Sequence, residues 1–345
     1  MTILYSKTQA LSKRDFVKGA GTSLLLPALA GLTTLQGPSL ALADEASLLA
    51  GAKKEGKLTF YSVVPQQAAQ DFIDGFTKKY GLEMDYQRLT TGPLVQRFVA
   101  ETQSGNFTAD AIAVTDNFFF EDAAAKGWLA AIAEVPAAST YPAQFMDKTS
   151  ATVQLLPHQL TYNTQALPTA PTDWSVLIDP KWKGKVIILD PRNGFFTTVW
   201  YYALQQKYGP DFLKALMKQE PIMVQSAVQG VQQLAAGAAA LCAPAYPNLM
   251  PELQAKGAPV GLASVDPVIA SGVYLGISAK APHPNAARLL AHYLMSAEGQ
   301  AAYNKGSVAP LGNLPGTLPL PKITNVDLRA AQQAQKDIFA LLGLS

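Results

Sequence analysis

Between positions 58 and 126 the chain alternates short apolar runs with stretches whose apolar residues recur at helical spacing. Leu58–Ser62, Glu83–Gln87 and Ala109–Val114 read as strands, and Gln66–Lys79, Leu94–Ser104 and Phe118–Lys126 read as the helices that follow them. A second series has strands at Val186–Leu189, Ile222–Val224 and Ala238–Cys242, with helices at about Phe195–Lys207 and Ala227–Ala236. Gly127, Gly209 and Gly237 stand where helices stop. Strands that alternate with helices imply parallel sheet, so each series predicts an α/β lobe. Val153–Asn163, extended and partly alternating, reads as a strand crossing between the lobes, and Val273–Ser278 as one crossing back. Helices at Pro284–Met295 and Ala297–Asn304 then rejoin the first lobe. The expected division is residues 44–157 and 275–345 for the first lobe and 158–274 for the second. Some 300 residues exceed what one core usually organises, which also favours two lobes.

The first 43 residues follow a different pattern. Lys7, Lys13, Arg14 and Lys18 precede a weakly apolar run from Gly19 to Leu35, and Ala41-Leu42-Ala43 offers the small residues of a cleavage site. This reads as an export signal, with a mature chain beginning at Asp44 and periplasmic delivery. Ser12–Lys18 resembles a twin-arginine signal in which Lys13 replaces the first arginine. A membrane anchor is the alternative, but the run carries Pro27 and several glycines and falls short of a spanning helix.

Removal of that segment changes the charge picture. The 27 basic and 25 acidic residues become 23 and 24, a formal charge of −1. A near-neutral chain lacks the concentrated positive charge that nucleic acid or an acidic membrane surface demands. The single cysteine, Cys242, has no partner for a disulfide, and His158, His283 and His292 are widely scattered. No cofactor or metal is therefore expected. There is no G-x-S-x-G elbow, Walker loop or H-E-x-x-H, and no histidine is placed to activate Ser62 or Ser226, so an enzyme using the same cleft lacks its machinery.

Candidate ligand-binding residues lie where strands end and helices begin, because unpaired backbone N–H groups face the cleft there. Ser62 follows the first strand, and Thr91 and Gly92 follow the second, with Asp116 after the third. In the second lobe Arg192 and Asn193, then Ser226, then Tyr246 occupy equivalent places, and Tyr162 lies on the crossing strand. Arg192 suits bidentate capture of a carboxylate or phosphate, unless it pairs with Asp190. Ser62, Ser226 and similar residues also suit simple helix capping. Tyr201 and Tyr202 fall inside an apolar helix and read as packing, and Phe118–Phe120 as core.

Four blocks resemble a known family: Leu58–Ser62, Asp179–Lys185 leading into Asp190–Asn193, Pro282–Ala287 and Ser296–Gln300. Together they are similar to the extracellular solute-binding proteins of the ferric-iron, phosphonate and sugar-phosphate group. The resemblance implies a type II periplasmic-binding-protein fold, two α/β lobes with mainly parallel sheets joined by two crossing strands. It also implies a monomer that closes on a small ligand and delivers it to an inner-membrane ABC permease with a cytoplasmic ATPase.

One departure bears on the ligand. Iron-binding members carry adjacent tyrosines in the loop that here reads Ala245-Tyr246-Pro247-Asn248, so only Tyr246 remains. Ferric iron calls for several hard anionic oxygens, and an organic anion bearing a carboxylate or phosphate is the expected ligand instead. A ferric-iron carrier and a ligand-sensing partner of a membrane receptor are the alternatives on the same fold.

Overall fold

A computed structural model describes residues 44–344. The export signal expected at 1–43 lies outside the described residues. Among the described residues no helix is long and apolar enough to cross a membrane.

The first lobe opens with helix α1 (Glu45–Glu55), capped by Asp44, whose side chain accepts the Ser47 N–H. Strands β1 (Lys57–Ser62), β2 (Glu83–Arg88) and β3 (Ala111–Val114) lie parallel in the order β2-β1-β3. They are linked by α2 (Gln66–Tyr80) and α3 (Thr91–Ser104), and α4 (Asn117–Ala125) follows β3. Gly105 stops α3 with φ of +73°, a left-handed conformation that a Cβ would oppose, and its N–H closes the helix onto Glu101.

Strand β4 (Ser150–Asn163) leaves this lobe and enters the second, which contains β5 (Val186–Leu189), α5 (Phe195–Tyr208), α6 (Pro210–Lys218), β6 (Ile222–Val224) and α7 (Ala227–Ala235). It is completed by β7 (Leu241–Ala245), α8 (Met250–Ala255) and β8 (Val260–Ala263). Here β5 pairs parallel with both β6 and β7, while β7 and β8 run antiparallel to β4. Strand β9 (Ile269–Ile277) returns to the first lobe. It runs antiparallel to β4 from Ser150↔Gly276 to His158↔Ile269 and then flanks β3. The strand path is β2-β1-β3-β9-β4-β7-β5-β6, so the two parallel sheets share the β4/β9 ribbon as their hinge.

The cores follow this division. Phe60, Phe72, Phe76 and Tyr293 centre the first, into which α9 (Pro284–Met295) and α10 (Ala297–Tyr303) pack. Trp174, Trp200 and Leu213 centre the second. The chain end departs from the expected division. After α10 it crosses the hinge once more, tied by Thr324 N–H to Val268 O at 2.8 Å, and ends in α11 (Leu328–Gln333) and α12 (Gln335–Leu341). Ala331, Ile338 and Leu342 are buried in the second core, so the last residues of 275–345 pack with the second lobe rather than the first. Nothing within α11 or α12 announces this, because both are short and their burial depends on partners more than a hundred residues away.

Candidate functional site

A cavity of about 720 Å³ lies between the lobes, at the ends of strands and the starts of helices. Its first-lobe wall is built by two helix entries. Thr90 precedes α3 in extended conformation, yet its hydroxyl makes no capping bond, so the Thr91 and Gly92 N–H groups begin the helix without a side-chain acceptor. The Thr91 and Thr115 hydroxyls meet at 2.8 Å. Asp116, by contrast, caps α4 by accepting the Phe119 N–H at 3.0 Å. Asn117 is engaged as well, donating to Glu121 at 2.7 Å.

The second-lobe wall mirrors the first. Gly194 precedes α5 with no side chain to cap it, and Asn193, Phe195, Phe196 and Thr197 line the cavity beside it. Tyr246, at the end of β7, completes this side. Burial pushes its phenol up to about 12, so it remains a neutral hydroxyl at physiological pH. Gln332 and Gln335 also reach the cavity from α11 and α12.

The hinge supplies the floor through Leu156 and Ser271. Beneath it His158 is fully buried, with Nε2 3.1 Å from the Ser271 hydroxyl and its ring 5.2 Å from that of Tyr246. Burial lowers its pKa to about 3, which keeps the imidazole neutral. Its other nitrogen, Nδ1, has no hydrogen-bond partner among the described residues. Sequence reading left His158 as one of three scattered histidines. Nothing local marks it, because the crossing strand also carries Thr152, Gln154, Gln159 and Thr161.

Thr91, Gly92, Asp116, Asn193 and Tyr246 therefore line one cavity. Four other expected site residues do not. Ser62 is buried in the first lobe, its hydroxyl 3.0 Å from that of Tyr303 and accepting the Val64 N–H. Tyr162 lies at the far end of β4, paired with Leu241 and Gly261 and half-buried against the second core, so it is not a cleft wall. Ser226 is exposed and caps α7 through the Gln229 N–H. Arg192 turns back on itself in the short turn Pro191–Asn193: its Nε and Nη2 fork onto the Asp190 carboxylate at 2.7 to 3.1 Å, and Asp190 also accepts the Arg192 backbone N–H. The Arg192 hydrogen bonds hold the Asp190 carboxyl below its ordinary pKa. Its fork is thus filled within the chain, and among the described residues Asp116 is the sole charged side chain along the cavity. Tyr201 donates to Leu189 O at 2.8 Å inside the second core, the packing role its apolar helix implies.

For a metal the donors are few. Among the described residues no three His, Cys, Asp or Glu side chains converge, and the cavity offers a ferric ion one carboxylate, already capping a helix, and one protonated phenol. A pocket of several hundred Å³ with aromatic walls and scattered polar groups suits an organic solute.

Comparison with solved structures sets this architecture among known folds. The chain is similar to the substrate-binding protein of an ABC transporter from Agrobacterium tumefaciens, at 17% identity over 84% of this chain and 96% of that one, with a TM-score of 0.67. It is similar to AfuA from Actinobacillus pleuropneumoniae with exogenous fructose-6-phosphate bound, at 21% identity over 84% and 97%, with a TM-score of 0.61. A third likeness is to Trichodesmium IdiA (FutA) in complex with iron and citrate, at 20% identity over 84% and 98%, with a TM-score of 0.65. No curated protein matches the sequence. The fold is that of the type II periplasmic binding proteins. The family model of the bacterial extracellular solute-binding proteins matches residues 62–301, most of the chain, and the protein belongs to that family.

Proposed function

We propose that this protein is the periplasmic solute-binding component of an ABC importer, and that its ligand is a hydroxylated organic anion carrying a phosphate or carboxylate. The observation that carries the ligand class is the pair of helix entries at Thr90–Gly92 and Gly194–Phe196. Two 14-residue helices, one from each lobe, begin at the cavity with no side chain capping them. A helix start of this kind presents backbone N–H groups and the positive end of the helix dipole, which suits an oxyanion without a lysine or arginine. The remaining lining of threonine and serine hydroxyls, carboxamides and phenyl rings suits the hydroxyl groups and carbon faces of a sugar-like or hydroxy-acid body. A ligand that touches both helix entries gains contacts in the closed arrangement only, and so draws the lobes together. The export signal at 1–43, a monomeric state and handover to a membrane permease with its ATPase follow from the same reading.

The test is a thermal-shift and calorimetric comparison of the mature chain from Asp44 with inorganic phosphate, fructose 6-phosphate, citrate and ferric ion. A ligand present at a hundred times its Kd stabilises the native state by about 2.7 kcal/mol. Stabilisation by the phosphate or carboxylate compounds supports the reading. Stabilisation by ferric ion alone overturns it in favour of iron, with Tyr246 as a ligand.

A further inference from the structure

The chain end forms a wall of the cavity that the family resemblance does not assign. Ala331 and Ile338 anchor α11 and α12 in the second-lobe core, and Gln332 and Gln335 reach the cavity from this anchored pair. Among the described residues neither carboxamide side chain has a hydrogen-bond partner, although the Asp327 carboxylate caps the start of α11 by accepting the Arg329 and Ala330 N–H groups. The same helix also reaches the opposite lobe. Arg329 forms an ion pair with Glu121, and its guanidinium lies 4.3 Å from the Phe118 ring centroid on α4. Phe118 in turn meets Phe195 of α5 at 5.2 Å between ring centroids. The helix that carries Gln332 is thus held from both sides, by its apolar anchor in one lobe and by Arg329 on the other.

We infer that α11 and α12 form a specificity wall, in which Gln332 and Gln335 hydrogen-bond the hydroxyl groups on the uncharged body of the ligand. A carboxamide offers two donors and an acceptor and carries no charge, which matches hydroxyl groups and adds little to the capture of an oxyanion. The two helix entries, with their N–H groups alone, grip the anionic group but read nothing of the body attached to it. The chain end supplies that reading. This inference rests on the ligand class proposed above.

The experiment is a calorimetric titration of the mature chain and of its Gln332→Ala/Gln335→Ala variant with fructose 6-phosphate and with inorganic phosphate. Alanine suits both short helices and neither residue belongs to a core, so the variant retains the fold, which its thermal transition checks. Two lost hydroxyl contacts lower the preference for fructose 6-phosphate over inorganic phosphate by tenfold or more. A variant that keeps the wild-type preference overturns the inference and leaves the ligand class standing, and an equal loss for both compounds overturns it as well by showing a general effect on closure. The same titration with citrate covers the carboxylate side of the class, and wild-type protein that binds none of the three compounds overturns the ligand class and the inference together.

Discussion

His158 shows at the scale of one residue what the hinge asks of its side chains. It stands in β4 opposite Ile269, wholly buried, with one nitrogen on Ser271 and the other without a partner among the described residues. The groups around it, Ser271, Phe196 and Tyr246, carry no charge that would stabilise an imidazolium. Burial depresses its pKa from 6.5 to about 3. The sign of the resulting pH dependence is definite. Below pH 6.5 the unfolded chain takes up a proton at this position and the native state does not, so stability falls as the pH falls from 6.5 toward about 3. The slope from this group approaches 1.4 kcal/mol per pH unit. Chemical denaturation at pH 7, 6, 5 and 4 checks it. The His158→Gln variant loses that component of the slope, and an unchanged slope would show that His158 is not held neutral. Arg192 teaches a different lesson at the same scale. It was legible as a guanidinium at a helix entry, but which carboxylate it meets depends on the turn Pro191–Asn193, which folds the side chain onto the nearest acid, Asp190.

At the scale of elements, the helix entries distinguish α3 and α5 from α4 and α7. Asp116 and Ser226 cap their own helices, whereas Thr90 makes no capping bond and Gly194 has no side chain with which to do so. Gly194 is extended, with φ of −175°, and a Cβ built there meets only the Thr197 hydroxyl, at 3.9 Å. Gly194→Asp is therefore expected to fold without strain and to cap α5, with a gain of about 0.5 kcal/mol in unfolding free energy. The same carboxylate occupies the N–H groups proposed for the ligand and repels an anion, so affinity for phosphate-bearing compounds falls at least tenfold. Urea denaturation and calorimetry together check the opposed signs; unchanged affinity would remove α5 from the anion site. Much of this level was legible in the sequence. The apolar runs of β1, β3, β5 and β6 stand out between turns, and Thr91, Gly92, Asp116, Asn193 and Tyr246 could be placed because strand end followed by helix start is a local pattern. Ser62 and Ser226 share that pattern, and only tertiary partners, Tyr303 for one and the α7 backbone for the other, separate them from the cavity residues. Strand β7 begins at Leu241 rather than Ala238 because Gly237, at φ of +80°, opens a turn that runs on past Ala238. Strand β8, Val260–Ala263, is interrupted by Gly261 and lacks the continuous apolar run that marks the equally short β3 and β5, and helix α11, six residues long, is too short for periodicity to declare it.

The whole molecule is governed by how the lobes meet. Three segments cross the hinge: β4, β9 and the chain between α10 and α11. Opposite them, across the cavity, Phe118 touches Phe195 and Arg329 pairs with Glu121. These last contacts join the two lobes across the cavity, so opening would break them, and each is modest. Arg329 and Glu121 are both about half-exposed, so their pairing is worth at most about 1 kcal/mol, and the guanidinium over Phe118 adds roughly 0.5 to 1 kcal/mol. Contacts of that size shift the balance toward closure by at most about thirtyfold without locking it, which leaves a ligand able to complete the shift. Arg329→Ala removes both contributions and leaves the cores intact. The ligand-free variant is expected to show a larger radius of gyration by small-angle scattering than the ligand-free wild type, and the difference shrinks in high salt as the ion pair is screened in the wild type. Identical scattering would show that the pairing of Arg329 with Glu121 and Phe118 does not bias closure. The sign of the binding effect follows from the same equilibrium: if the variant starts more open, every ligand that requires closure binds it more weakly, by the factor through which the closed fraction has fallen.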